Sequence, residues 1–212
     1  MQTLKKIIIF DLDHTLFDTA KFKVAYFGQL KRFGVPLSVA NKYYRKSMRT
    51  GSVRRYDYRP LVHLRLLRRD CKFDVAKAKA QMDSVFQSAE RFLFPGATQT
   101  LQRLSKQGFE LVLLSRGSRS FNMRKIQTSG LQKYFSKIFI IRGNKYRFLK
   151  KILPRLVKKV WMVNDDLSEL SLIARKYPFI QGIWHHRKGF NHPKNSQFRV
   201  IKEIPEIIRI VS

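Results

Sequence analysis

Apolar and polar positions follow two rhythms along this chain. Short apolar runs rich in β-branched residues occupy 5–10, 109–115, 137–141, 158–163 and 179–184. Runs of that length with little internal alternation predict strands buried on both faces. Between the later runs the period lengthens: 97–108, 118–130, 144–153 and 166–177 carry apolar residues at helical spacing and close on Gly108, Gly130, Pro154 and Pro178. Glycine just past a helix and proline beyond it are stop signals. Strand and helix thus alternate from residue 97 onward, which predicts an α/β fold: a Rossmann-like parallel sheet with helices on both faces.

The first strand breaks this order, because some ninety residues separate it from the second. Segments 20–34, 37–48, 59–70 and 74–93 are all apolar at helical spacing, and "FPGA" at 94–97 reads as a return hinge. The predicted organisation is an α/β core made of 1–17 and 94–212, with 18–93 inserted as an α-helical cap. Residues 198–212 suit a short strand and a last helix. The polar stretch 185–197 reads as a surface loop, which makes His185, His186 and His192 surface histidines rather than metal ligands.

Composition narrows the setting. No apolar run approaches the roughly 20 residues of a membrane span, and the N-terminal run ends in aspartate after a few residues, unlike a signal peptide. Cys71 is the only cysteine, so no internal disulfide forms, and a reducing, cytoplasmic setting is expected. With 44 Lys+Arg against 14 Asp+Glu, the net charge is +30. Such a charge draws polyanions, whether phosphorylated metabolites or nucleic acid. The excess is spread along the chain, so a generally basic proteome explains it about as well as a dedicated nucleic-acid face.

In a parallel sheet, ligands bind beyond the carboxyl ends of the strands. The residues placed there are Asp11, Asp13 and Thr15 after the first strand, Ser115 after the second, and Asp165 and Asp166 after "VWMVN". Carboxylates gathered so closely repel one another, and they stay ionised most readily around a hard divalent cation such as Mg²⁺. With Glu169, one helical turn beyond Asp165, they use five of the fourteen acidic residues.

"DLDHT", then "LLS", a lysine and "VNDD", in that order and with the helical insertion after the first motif, resemble the four motifs of the haloacid dehalogenase (HAD) superfamily. The resemblance implies that Asp11 is a nucleophile forming an aspartyl-phosphate and Asp13 the general acid and base. Thr15 would hold the loop, and Thr15, Ser115, Arg116 and Gly117 form the phosphate-binding set, with the Ser115 hydroxyl and the Arg116 and Gly117 N–H groups as donors. A lysine stabilises charge: Lys145 opens a helix in the expected context, while Lys150 and Lys151 suit a solvated face. Mg²⁺ would be held by Asp11, the Asp13 carbonyl, Asp165 and Asp166, with Glu169 in the outer shell. Asn164 and His14 stand where many relatives have glycine.

Asp13 selects within the superfamily, since dehalogenases lack a carboxylate two residues after the nucleophile. The reading is a Mg²⁺-dependent hydrolase, a phosphatase for a phosphorylated small molecule, a nucleotide or a polynucleotide end. The alternatives are a basic nucleic-acid-binding protein with vestigial catalysis, and a phosphomutase. Basic and aromatic residues interleave at 43–60, making Arg45, Arg49, Arg54, Arg55, Tyr56 and Arg59 candidates for substrate specificity, against a plain reading as a solvated helix pair whose tyrosines pack inward.

Overall fold

The computed structural model describes residues 5–48, 57–153, 157–186 and 197–212. Among them, β1 (Lys5–Phe10), β2 (Glu110–Arg116), β3 (Lys137–Ile141), β4 (Val157–Asn164), β5 (Ile180–His185) and β6 (Arg199–Ile201) form one sheet of order β3-β2-β1-β4-β5-β6. Every pairing is parallel. The central position of β1 explains its unbroken apolar run. Ile8 and Phe10 enter the core on one face, Ile7 and Ile9 the core on the other, and all four are at most 2% exposed.

The helices, in chain order, are α1 (Thr19–Gly28), α2 (Leu37–Ser47), α3 (Pro60–Leu67), α4 (Val75–Asp83), α5 (Ala97–Lys106), α6 (Arg119–Thr128), α7 (Lys145–Ile152), α8 (Leu167–Lys176) and α9 (Ile207–Val211). The last five follow the expected alternation. Two predicted helices of the insertion are each divided. Segment 20–34 is α1 followed by a 3₁₀ turn at Gln29–Phe33, and 74–93 is α4 followed by Ser84–Phe92, broken at Ser88 (φ −128°, ψ 42°). Apolar periodicity over one or two turns does not distinguish 3.0 from 3.6 residues per turn, so the sequence ran these pieces together.

The chain leaves and re-enters the sheet side by side. The Asp18 N–H donates to the Phe92 carbonyl at 2.7 Å and the Phe94 N–H to the Leu16 carbonyl at 3.0 Å. The return passes through Gly96 at φ +74°, where a Cβ would lie 2.5 Å from Pro205 Cγ; both the left-handed backbone and the close approach require glycine there.

One expectation is corrected at the other edge. His185 is the last residue of β5, paired with Ile201 and 3% exposed, with its ring edge-on to Phe94 at 5.0 Å. The pairing of β6 extends β5 one residue beyond its apolar run, which withdraws this histidine from the predicted surface loop. His192 lies outside the described residues.

Candidate active site

β1 runs between β2 and β4, so the chain order of the sheet reverses beside it, and the crevice at the carboxyl ends opens there. The Asp11 N–H continues the ladder to the Val163 carbonyl at 3.0 Å. The next residues fold back on Leu12, whose carbonyl accepts from the N–H groups of Leu16 at 3.0 Å and Phe17 at 2.9 Å. Leu12, Leu16 and Phe17 are fully buried and anchor this turn, so that Asp11 and Asp13 both face one cavity. His14 pays for the turn with φ +63°, a backbone that glycine would adopt without strain.

Loops after neighbouring strands are tied together. The Thr15 hydroxyl accepts from the Asp165 N–H at 3.1 Å, and the Trp184 indole N–H donates to the Asp165 carbonyl at 2.9 Å. Thr15 is therefore a fully buried tie between loops, as expected of it, and does not itself line the cavity. Ser115 is also fully buried, its Oγ accepting from Asn122 Nδ2 at 3.0 Å. The Gly117 N–H is donated to the Ile141 carbonyl at 2.9 Å, toward β3 rather than the cavity. The wall at this point is made instead by Arg116, Ser118 and Asn122.

Charge is paired closely at the mouth. Lys145, the first residue of α7 and 3% exposed, places Nζ 2.7 Å from Asp11 Oδ1 and 2.8 Å from Glu169 Oε2. Asn164 Nδ2 also donates to Glu169 Oε2 at 2.8 Å, and Arg116 stands 3.5 Å from Oε1. Glu169 is thus held by cations and an amide. Burial pushes the Asp11 carboxyl up to about 6 despite Lys145. Burial would lower the lysine, but Asp11 and Glu169 outweigh it and hold its pKa above the ordinary value.

Asp13 goes the other way. Burial would raise it, yet Lys125 Nζ at 2.6 Å and a hydrogen bond from the Thr19 hydroxyl hold it below the ordinary carboxylate range. The sequence reading missed Lys125. Its signal was a lysine on the core face of a helix: Lys125 follows Phe121 by four residues on α6 and is 3% exposed, with Nζ 5.4 Å from the Phe121 ring. Asp166 caps α8, accepting from the Glu169 N–H at 3.0 Å, and still lines the cavity beside Asp165. Lys150 and Lys151 are exposed.

The cavity, of about 670 Å³, extends from this mouth into the helices of the insertion, where Phe22, Phe27, Tyr44 and Tyr58 line it. Of the specificity candidates, Arg45 lines it as well. Arg59 pairs with Asp57 at 3.0 Å and does not line the cavity. Arg49, Arg54, Arg55 and Tyr56 lie outside the described residues.

The oxygens expected to serve a cation, the carboxylates of Asp11, Asp165 and Asp166 and the Asp13 carbonyl, are all hard donors. Among the described residues no three His, Cys, Asp or Glu side chains are arranged to enclose a metal by themselves. Mg²⁺ keeps several of its waters and is commonly held by one or two carboxylates, so the donor set fits that ion. Among the described residues no helix is long and apolar enough to cross a membrane.

A family model, haloacid dehalogenase-like hydrolase, matches residues 5–171. The chain belongs to that family of hydrolases. Among solved structures it resembles a haloacid dehalogenase-like hydrolase of Burkholderia xenovorans, with TM-score 0.75, 20% identity and coverage of 98% of this chain and 97% of that one. The magnesium-bound YfnB hydrolase of Bacillus subtilis gives TM-score 0.69 at 16% identity, with 99% of each chain covered. A predicted phosphoglycolate phosphatase from Haemophilus somnus gives 0.58 at 14%, with 100% of each covered. Dehalogenases are also among the similar structures. Identities this low speak for the fold alone. A comparison with curated proteins gives no match.

Proposed function

We propose that this hydrolase is a Mg²⁺-dependent phosphomonoesterase working through an aspartyl-phosphate. The observation that supports it most directly is Asp13: a second carboxylate two residues after Asp11, facing the same cavity and held by Lys125 and Thr19. A dehalogenase has no leaving alkoxide to protonate, and a carboxylate in this place gives a phosphatase its proton donor and acceptor.

Asp11 attacks phosphorus and Lys145, 2.7 Å from its Oδ1, offsets the charge shared between the carboxylate and the transferring group. Asp13 gives a proton to the departing alkoxide and then takes one from the water that cleaves the aspartyl-phosphate. For that first role it must be protonated, so its bond to Lys125 loosens when substrate is in place. Arg116, Ser118 and Asn122, which line the cavity, would supply donors to the phosphoryl oxygens. Asp11, Asp165 and the Asp13 carbonyl would hold Mg²⁺, with Asp166 joining directly or through water; the ion, when bound, adds electrostatic stabilisation of the phosphoryl oxygens. Glu169 keeps Lys145 in place. The helices of residues 18–93 act as the cap whose closure excludes water.

Phosphate release from an aryl phosphate tests this reading. Turnover should require Mg²⁺ and fall to background in Asp11→Asn. Undiminished turnover in that variant refutes the covalent mechanism.

A further inference from the structure

The cavity is larger than a phosphoryl group needs, and its far wall has a composition of its own. A volume of about 670 Å³ lies in the range that encloses a ligand of drug size. Along this wall, Phe121 of α6 packs edge-on to Tyr58 at 5.0 Å, Tyr58 to Tyr44 at 5.2 Å, and Tyr44 against Phe27 at 5.3 Å. Phe27 is nearly fully buried. Phe121 and Tyr44 are only half-buried, so both line the cavity with ring surface still open to it. One belongs to the sheet's own helix layer and the other to the insertion, so aromatic surface comes from both sides.

Two of the tyrosine hydroxyls here are engaged within the protein. The Tyr58 hydroxyl and His63 Nδ1 share a hydrogen bond of 2.9 Å, and His63 Nε2 lies 2.9 Å from the Ala40 carbonyl. The Tyr26 hydroxyl donates to Asp83 at 3.1 Å. A polyhydroxylated leaving group would lose its water here and, apart from Lys23, Arg45 and the Tyr44 hydroxyl, regain few partners. A planar aromatic ring meets complementary edges and faces. Among the described residues the insertion contributes no carboxylate to the lining, but it does contribute Lys23 and Arg45. Lys23 Nζ sits 4.6 Å from the centre of the Tyr44 ring, in reach of the electron-rich oxygens that ring systems carry.

We propose that the substrate is a phosphomonoester whose leaving alcohol carries a planar aromatic ring of nucleobase size, bound between Phe121 and Tyr44. This rests on the phosphomonoesterase reading and names its substrate class. The wall offers stacking without committed donors for particular base edges, so selection is for a ring rather than for one base.

Ribose 5-phosphate and AMP share the same departing alkoxide and differ by the ring. The kcat/KM of AMP should exceed that of ribose 5-phosphate by about 5- to 150-fold, the range that stacking one base on an aromatic side chain supplies. CMP should behave as AMP does. The ratio, which cancels any loss of folded protein, should fall toward one in Tyr44→Leu and in Phe121→Leu. A ratio of one in the wild type, or a ratio unmoved in both variants, overturns the proposal. Calorimetric binding to Asp11→Asn separates the two claims. Tighter binding of AMP with no phosphate release by the wild type keeps the ring site and refutes the phosphatase. Equal affinities, with both compounds hydrolysed alike, keep the phosphatase and refute the ring site.

Discussion

At the sheet end of the cavity five carboxylates, Asp11, Asp13, Asp165, Asp166 and Glu169, stand with Lys125, Lys145 and Arg116. At the helical end, aromatic rings stand with Lys23 and Arg45 and, among the described residues, no acid. The first end is held by ion pairs of 2.6–2.8 Å between buried lysines and buried or half-buried carboxylates. The second is held by ring contacts and by hydroxyls whose bonds face away from the ligand space. Ion pairs fix atoms within tenths of an ångström, as a phosphoryl transfer needs. Ring walls impose shape and tolerate variety. On the proposed function, the contrast gives reaction to one end and selection to the other.

Breaking the charged end should have the largest effect. In Lys145→Ala, Asp11 and Glu169 remain buried without their shared cation. Removing one partner of a buried ion pair costs about 3–5 kcal/mol, and losing a preorganised stabilising charge costs about 10²- to 10³-fold in kcat. Denaturant unfolding and phosphate release would measure the two. A Lys145→Ala enzyme with wild-type kcat would show that the 2.7 Å contact has no part in the chemistry.

How much of each end could be read from sequence follows the same division. Asp11, Asp13 and Asp165 were legible because a strand end is marked by an apolar run stopping at polar residues, and the fold dictates where such ends converge. Lys145 was legible as the opening residue of a helix after β3. Lys125 was not, because its role depends on which face of α6 meets Phe17 and Phe22, a fact of tertiary packing. The partners of Thr15, Ser115 and Gly117 were not legible for a related reason: a sequence marks a loop, but it does not say which neighbouring groups each loop atom meets, here the Asp165 N–H, Asn122 and the Ile141 carbonyl. The ring wall was visible only as basic residues among tyrosines. Its assembly from α1, α2, α6 and the segment before α3 is long-range.

A subtler comparison sets one titratable group from each end against the other. Asp11 is raised from 3.8 to about 6 by burial, and His63, behind the ring wall, is lowered from 6.5 to about 4 by burial. The raised carboxyl contributes stability that is full below pH 3.8 and lost as pH rises through 6. The depressed histidine contributes stability that is full above pH 6.5 and lost as pH falls through 4. Each amounts to about 3 kcal/mol. In metal-free protein the two slopes oppose one another between about pH 4 and 6. Asp11→Asn removes only the first. The variant should therefore be more stable than the wild type at pH 7, by up to about 3 kcal/mol, and should lose a comparable amount between pH 6.5 and 4, measured by urea unfolding in a chelator. A variant curve parallel to the wild type would refute the opposition.

The smallest effect marks where the charged end stops. Lys145, Lys150 and Lys151 lie on one helix, and at about 100° per residue the last two sit roughly 140° and 240° around it from the first. Leu149, four residues from Lys145, shares its buried face, whereas Lys150 and Lys151 point to solvent. Surface substitutions of this kind shift stability by at most about 0.5 kcal/mol, and neither side chain contributes to the cavity lining. Lys150→Ala and Lys151→Ala should therefore keep kcat within about twofold of the wild type, set against the hundredfold or greater loss in Lys145→Ala. If either exposed lysine instead lowered kcat as Lys145 does, the helix would have to rotate on substrate binding, and the charge that stabilises phosphoryl transfer would come from a face that is now outside the cavity.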